Sequence, residues 1–385
     1  MKIKRIKSGC FCLMLSILFC GCGRAYQERY VKEGILPCLN DLYEDNFSVG
    51  ISLTRSDISL KEKQRLIVSQ FSSVTCGNEM KAESVLNREK TIRYGEKDYP
   101  VVDMTSAEPL LKFASENGLK MRGHTLVWYQ QTPRWLFAEE FSDDPDAPLV
   151  SKERMLKRME NYIQQEMEYC NENYPGVISC WDVVNEAVDP DSEDGNHLRT
   201  EANYWYEVIG KDYIEKAFEY ARKYADPKQK LFYNDYNCYE KEKLSAIYHL
   251  AEGLKEKGFI DGIGMQSHIK MAVPTIQDYE AAIHTLGELG LEIQITELDI
   301  SQRDNSQEAQ QELALRYKAV FQMYKKIDDG GTADITGVTI WGLTDGGSWL
   351  NDGRDANYPL LFDDELNPKP SYFGAALDED IGDSQ

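Results

Sequence analysis

Eight short β-rich runs recur along this chain, and longer segments with helical spacing separate them. The runs are "FSVGISL", "FSSVTCGN", "KMRGHTLVW", "ISCWDVVNEA", "KLFYNDYN", "IDGIGMQSHI", "LEIQITELDI" and "ITGVTIWGLTD". Between them, Ser151–Asn173, Trp205–Ala225, Lys241–Lys257 and Gln307–Lys326 place apolar residues at helical intervals. Such alternation predicts a parallel sheet with helices outside it. Eight units within 385 residues predict an α/β chain of one catalytic domain, a (β/α)8 TIM barrel over residues 42–377. A doubly wound open sheet is the other arrangement of this kind. It usually has fewer strands and carries a glycine-rich phosphate loop after the first; "VGISLTRSD" is not such a loop.

Several runs share one asymmetry: apolar residues first, polar residues at the C-terminal end. Gly77–Asn78, His124, Asn185–Glu186, Asn234–Asp235, Gln266–His268, Glu297–Asp299 and Asp345 all stand there. In a barrel these ends converge on one face, where such folds keep their sites. A carboxylate ending an apolar strand is costly if buried alone and useful if it faces a cleft. Glu186 and Glu297, on the fourth and seventh runs, are the leading pair. One such glutamate alone is as readily a solvated strand-end charge. Two facing one cleft suit glycoside hydrolysis, where one carboxyl donates a proton and the other stays ionised. Facing strand ends of a narrow barrel predict the short separation of about 5–5.5 Å that a retaining route needs.

His124 and His268 sit beside polar groups at strand ends. A lone strand histidine is more often a satisfied core group. With a carboxylate the two would make a divalent site, yet no H-x-H or H-E-x-x-H spacing occurs, so no metal and no cofactor is expected. His268 is placed to hydrogen-bond an ionised Glu297. Trp128, Trp341, Trp349 and Tyr236 lie at or just beyond strand ends, where a flat ring can stack on a sugar. Trp135, Trp181 and Trp205 read as packing. Lys81, taken alone, reads as a solvated loop lysine. No G-x-S-x-G elbow is present, and Cys76, Cys180 and Cys238 fall inside strand patterns.

A formal net charge of −22 argues against nucleic acid as a partner. The first 22 residues read as a targeting segment: Lys2, Lys4, Arg5 and Lys7, then a short apolar middle, then "FCGCGRAYQ". The apolar part falls short of the ~20 residues that cross a bilayer. Gly21–Cys22 is similar to a bacterial lipoprotein junction, although Phe19 replaces the usual leucine. This predicts export with a lipid on Cys22 as the only membrane attachment, or free secretion. Residues 23–41 then form a spacer and 378–385 an acidic tail. The five cysteines beyond this segment are scattered and odd in number, which predicts buried thiols with at most one or two disulfides.

Taken in order, "VTCGNEMKAES", "RGHTLVWYQQTPRWL", "WDVVNEAV", "LFYNDYN", "GIGMQSHI", "ITELDI" and "TIWGLTDGGSWL" resemble glycoside hydrolase family 10, the β-1,4-xylanases of the large (β/α)8 glycosidase clan. The likeness runs from Leu42 to Leu377. It implies a retaining endo-β-1,4-xylanase acting on xylan or xylo-oligosaccharides. Glu186 then corresponds to the acid/base and Glu297 to the nucleophile; spacing alone does not divide these roles. His268 and Asp299 correspond to residues that hold Glu297, and Asn185 to the amide binding a sugar 2-hydroxyl. Asn78, Lys81, His124, Trp128, Gln131 and Gln266 match the polar glycone wall, Trp341 and Trp349 its aromatic cover, and Tyr236 an aglycone aromatic. One departure stands out: the family often has glutamate before the asparagine of E-N-x-M-K, and here it is Gly77, which weakens or alters glycone-side binding. The alternatives are a retaining glycanase for mixed-linkage glucan or mannan, a surface lipoprotein that binds glycans without cleaving them, and a metal-dependent barrel hydrolase.

Overall fold

The computed structural model describes residues 36–382, apart from Lys97, Asp352 and Arg354. Eight parallel strands close into a barrel: β1 (Ser48–Leu53), β2 (Ser73–Cys76), β3 (Lys120–Trp128), β4 (Ile178–Asn185), β5 (Lys230–Asp235), β6 (Gly262–Met265), β7 (Glu292–Ser301) and β8 (Asp334–Ile340). Closure is explicit in the register, since β1 pairs with β2 through Gly50–Ser73 and with β8 through Ser48–Gly337. All eight predicted runs supply one barrel strand each. Both faces of each strand are covered, which is why the runs read as nearly continuous apolar stretches rather than strict alternation.

The sixth run differs in detail. After β6 the chain leaves the ladder at Gln266–Ser267, with Ser267 at φ 68°, and resumes as a short strand, His268–Lys270. That strand pairs only with β7 and sets His268 opposite Asp299. The helical segments also hold, with one break. Lys152–Asn173, Lys241–Glu256 and Gln307–Asp329 are single helices. The expected helix over Trp205–Ala225 is two, Tyr204–Ile209 and Tyr213–Tyr224. Gly210 separates them at φ 81°, ψ −171°, a conformation open to glycine and incompatible with a continuing helix.

The packed unit is wider than residues 42–377. Leu39 is fully buried, so the expected spacer already contributes core at its end. At the other end Ile381 is fully buried, and Lys318 donates to the Asp378 carbonyl at 3.3 Å. Residues 378–382 are therefore docked on the long helix Gln307–Asp329 rather than extended as a tail. The expected targeting segment, with Cys22, lies outside the described residues. Among the described residues, no helix is long and apolar enough to cross a membrane. Cys38, Cys76, Cys170, Cys180 and Cys238 are all free thiols, four of them buried.

One core group is out of keeping with its surroundings. Glu166, in the helix Lys152–Asn173, is fully buried, and neither carboxyl oxygen has a hydrogen-bond partner. Burial pushes its pKa up to about 8. The folded state thus keeps a proton that the unfolded chain releases near the ordinary glutamate value. Stability is accordingly highest below that value and falls as pH rises towards about 8. Glu166→Leu is expected to stabilise the protein, by roughly 1–3 kcal/mol from the orphaned oxygens alone, and by more at pH 8 than at pH 5. Thermal unfolding at the two pH values checks this; equal shifts would show that the carboxyl does not titrate there.

Candidate active site

Glu186 follows the last residue of β4, and its backbone is left-handed, with φ 55°. A non-glycine residue in that region is strained, and such strain persists only where neighbours over-determine it. Here they do. The Glu186 N–H donates to the Asn234 carbonyl at 2.9 Å. The Tyr233 hydroxyl accepts from the N–H groups of Ala187 and Val188 at 3.0 and 3.1 Å. That hydroxyl in turn donates to Asp235, which pairs with Lys243 at 2.8 Å. Tyr233, Asp235 and Lys243 are all buried. An apolar strand thus delivers its carboxylate through a turn that a buried ion pair holds from beneath.

The Glu186 side chain accepts from Gln266 Nε2 at 2.8 Å, Trp128 Nε1 at 3.0 Å and Asn185 Nδ2 at 3.2 Å. It is 9 % exposed. Burial raises its pKa above the ordinary glutamate value, and the charges of Asp235 and Glu297 add to the effect against the hydrogen bonds from Gln266 and Trp128. Glu297 lies inside β7 and has the opposite fate. Burial alone would raise it, but the hydrogen bond from His268, the fields of His124 and His268 and the Asn234 amide bring it down to about 2. Asn234 Nδ2 donates to Glu297 Oε1 and to Asn185 Oδ1, both at 2.8 Å. The two carboxyl groups are therefore tied through a bridge of two asparagines.

Behind Glu297 stands a relay. His268 Nε2 lies 3.2 Å from Glu297 Oε2, and its Nδ1 lies 2.9 Å from Asp299 Oδ2. Burial would lower the imidazole, yet the two carboxylates raise it to about 10. Trp349 Nε1 donates to Asp299 Oδ2 at 2.8 Å, and the Trp349 and His268 rings meet with centroids 4.8 Å apart.

These groups open onto one cleft of about 600 Å³. Glu186, Glu297, Asn185 and His268 line it, as do Asn78, Lys81, His124, Trp128, Gln131, Tyr236, Gln266, Trp341 and Trp349. Every predicted site residue among those described is thus brought together, with Asp299 one layer behind. A larger groove, about 860 Å³, lies outside the barrel against the helix Lys241–Glu256 and holds none of these residues. Volume alone does not locate the chemistry.

Lys81 is 7 % exposed, donates to Asn78 Oδ1 at 3.2 Å and lies 5.0 Å from the Trp128 ring centroid. It is no solvated loop lysine. Burial lowers its pKa, partly offset by Glu297 and Glu186. His124 is held by Asp182 at 2.9 Å and meets the edge of Trp341. Trp181 and Trp205 pack as expected, and Trp205 Nε1 props the Trp128 carbonyl at 3.1 Å.

Sequence reasoning missed Asn234 as a site residue. Its only signal was its place among the polar strand ends. It also fixes its neighbour: a Cβ on Gly264 would stand 2.3 Å from Asn234 Oδ1, so that strand position must be glycine for the bridge to exist. Tyr129, Gln130 and Asn237 line the cleft as well. Gly77 faces it without being forced, since a Cβ there would meet only ordinary contacts, the closest at 3.5 Å.

The fold and site together give a (β/α)8 barrel whose one cleft holds two carboxyl groups linked through a pair of asparagines. The sequence profile of glycosyl hydrolase family 10 matches residues 38–377. The chain belongs to that family. It is 40 % identical over 349 residues to an endo-1,4-beta-xylanase B of Butyrivibrio fibrisolvens, covering 89 % of this chain and 54 % of that protein. It is 41 % identical over 354 residues to an endo-1,4-beta-xylanase A of Thermotoga maritima, covering 89 % of this chain and 31 % of that one. The chain thus spans about half and about a third of the length of these relatives. Its structure is similar to the CBM22-1–GH10 modules of Clostridium thermocellum endo-1,4-beta-D-xylanase 10B complexed with xylohexaose. That similarity has TM-score 0.81 and 37 % identity, covering 88 % of this chain and 67 % of that one.

Proposed function

We propose that this protein is a retaining endo-1,4-β-xylanase that cleaves internal β-1,4 links of xylan and xylo-oligosaccharides. The observation that carries this is the meeting of two buried carboxyl groups in one cleft, linked through Asn185 and Asn234. Glu297, held near 2, is the ionised nucleophile that attacks the anomeric carbon. Glu186, held above the ordinary value, is the protonated acid that donates to the departing oxygen. Both steps together break the glycosidic bond and form a glycosyl ester on Glu297. Water then enters, Glu186 removes its proton, and the ester opens with net retention. Esterification neutralises Glu297, which lowers Glu186 and fits it to act as base. The short carboxyl separation belongs to this proposal.

The names of the relatives and the xylohexaose in the similar structure support xylan over other polymers. Asn185 is positioned to bind the 2-hydroxyl, the polar wall from Asn78 to Gln131 to take glycone hydroxyls, and Trp341 and Trp349 to cover that sugar. A reducing-sugar assay on xylan, mixed-linkage glucan and mannan tests the assignment. Release from xylan above the other two is expected; preference for glucan or mannan, or binding of xylan without release, overturns it.

The reading extends to export, with Cys22 lipidated at the bacterial cell envelope after removal of the preceding residues. The basic start, the short apolar run and the Gly21–Cys22 junction support it. Radiolabelled palmitate should enter the wild type and not Cys22→Ser; equal labelling contradicts it.

A further inference from the structure

Among the described residues, two Phe, Tyr or Trp side chains are left exposed: Trp349 at 59 % and Tyr94 at 72 %. Trp349 lines the catalytic cleft. Tyr94 lines a different groove, of about 570 Å³, which shares no residue with that cleft. The groove lies on the outer flank of the barrel, between residues 94–96 and 99–101, the helix Lys152–Asn173 and the end of the helix Tyr213–Tyr224. Two more rings, Tyr99 and Tyr224, stand in its walls.

The wall is built, not loose. Gln165 Nε2 donates to the Pro100 carbonyl at 2.7 Å, and its Oε1 accepts from the Val102 N–H at 3.1 Å. This pins the tyrosine-bearing segment to the long helix. Asn161 accepts from Gln165 through Oδ1 at 2.6 Å. Glu160 is oriented through one oxygen by Tyr224 at 3.1 Å and Lys223 at 2.7 Å. The groove therefore sets tyrosine rings beside amide and carboxyl groups, with the Arg93 guanidinium over one face of Tyr94 at 5.7 Å from its centroid and Lys223 over Tyr224 at 4.9 Å, so that stacking falls to the remaining face of the exposed Tyr94 ring.

That composition matches a neutral chain whose rings have apolar faces and equatorial hydroxyls. We propose that this groove is a second binding surface for a xylan chain, with Tyr94 as its stacking platform. The proposal rests on the xylanase reading for the identity of its occupant. A second site on a polymer makes re-engagement of the cleft an intramolecular event, so it raises retention on long or insoluble substrate without touching the chemistry.

The test compares wild type, Tyr94→Ala and Tyr94→Trp. Each is measured for retention on insoluble xylan at low temperature and for kcat/KM on xylotetraose. Tyr94→Ala should bind the polymer about three- to tenfold more weakly, Tyr94→Trp should bind as well as wild type, and all three should cleave xylotetraose equally. Tyr94 is 72 % exposed, so folding is not at stake and the three melting temperatures are expected to match. Unchanged polymer retention in Tyr94→Ala, with xylotetraose turnover intact, overturns the second site and leaves the cleft assignment standing. Absence of xylotetraose turnover in the wild type overturns the cleft assignment, and retention lost in Tyr94→Ala alone would still support the groove.

Discussion

Glu297→Ala is expected to lower kcat on xylo-oligosaccharides by roughly 10⁵–10⁶-fold, the scale seen when a covalent nucleophile is deleted. The deletion removes the atom that forms the ester, and the space it leaves admits a small anion. Added azide should not restore the original product. It should instead give the glycosyl azide of inverted configuration, since azide enters from the face that Glu297 occupied while Glu186 still protonates the leaving oxygen. Product analysis with an activated aryl xyloside in azide buffer checks both parts. Near-normal hydrolysis by the variant would remove Glu297 from the mechanism. Stability is not expected to be the cause of the loss. Removing a buried carboxylate leaves His268 paired with Asp299 at 2.9 Å, so the cation behind the site keeps a partner.

Glu186→Ala should lose about 10²–10⁴-fold on xylan, where the departing sugar oxygen needs a proton, and far less on aryl glycosides with good leaving groups. Equal losses on both would argue against the acid role. The pH profile adds a second readout. Activity of the wild type on xylan should fall as pH rises through the elevated pKa of Glu186, because the acid then arrives unprotonated. Glu297 should impose no acid limb until far lower pH, since it stays ionised down to about 2. In Glu186→Ala the alkaline limb should vanish. Its persistence would assign that limb to another group of the cleft.

Much of this site was written in the linear order of residues. Strand number followed from counting apolar runs, and the face of the site followed from their polar ends. Both are local patterns, so composition within a window of ten residues exposes them. The pairing of Glu186 with Glu297 was visible for the same reason. What escaped depends on neighbours remote in sequence. Asn234 bridges the two carboxyl groups only because β4, β5 and β7 bring three strand ends together. Taken alone, Lys81 read as a surface lysine, because nothing in "GNEMK" shows that Trp128, from another strand, lies over it. The turn at Glu186 rests on Tyr233, Asp235 and Lys243, some 45 to 60 residues onward, and no spacing rule announces it. The docking of residues 378–382 was masked by their acidity, since Ile381 is their one apolar side chain. The break at Gly210 was local, but one glycine within a helical pattern is an ambiguous mark until its φ is known.

The measurement that bears most directly on the paired-carboxyl mechanism is the anomeric configuration of the first product. Proton NMR of xylotetraose during the opening minutes of hydrolysis, before mutarotation, reads it without any variant. Two displacements at one carbon should release the β-anomer first, with the α-anomer growing in later. An α-anomer at the earliest time point would mean that water attacks directly, and that Glu297 never holds the sugar.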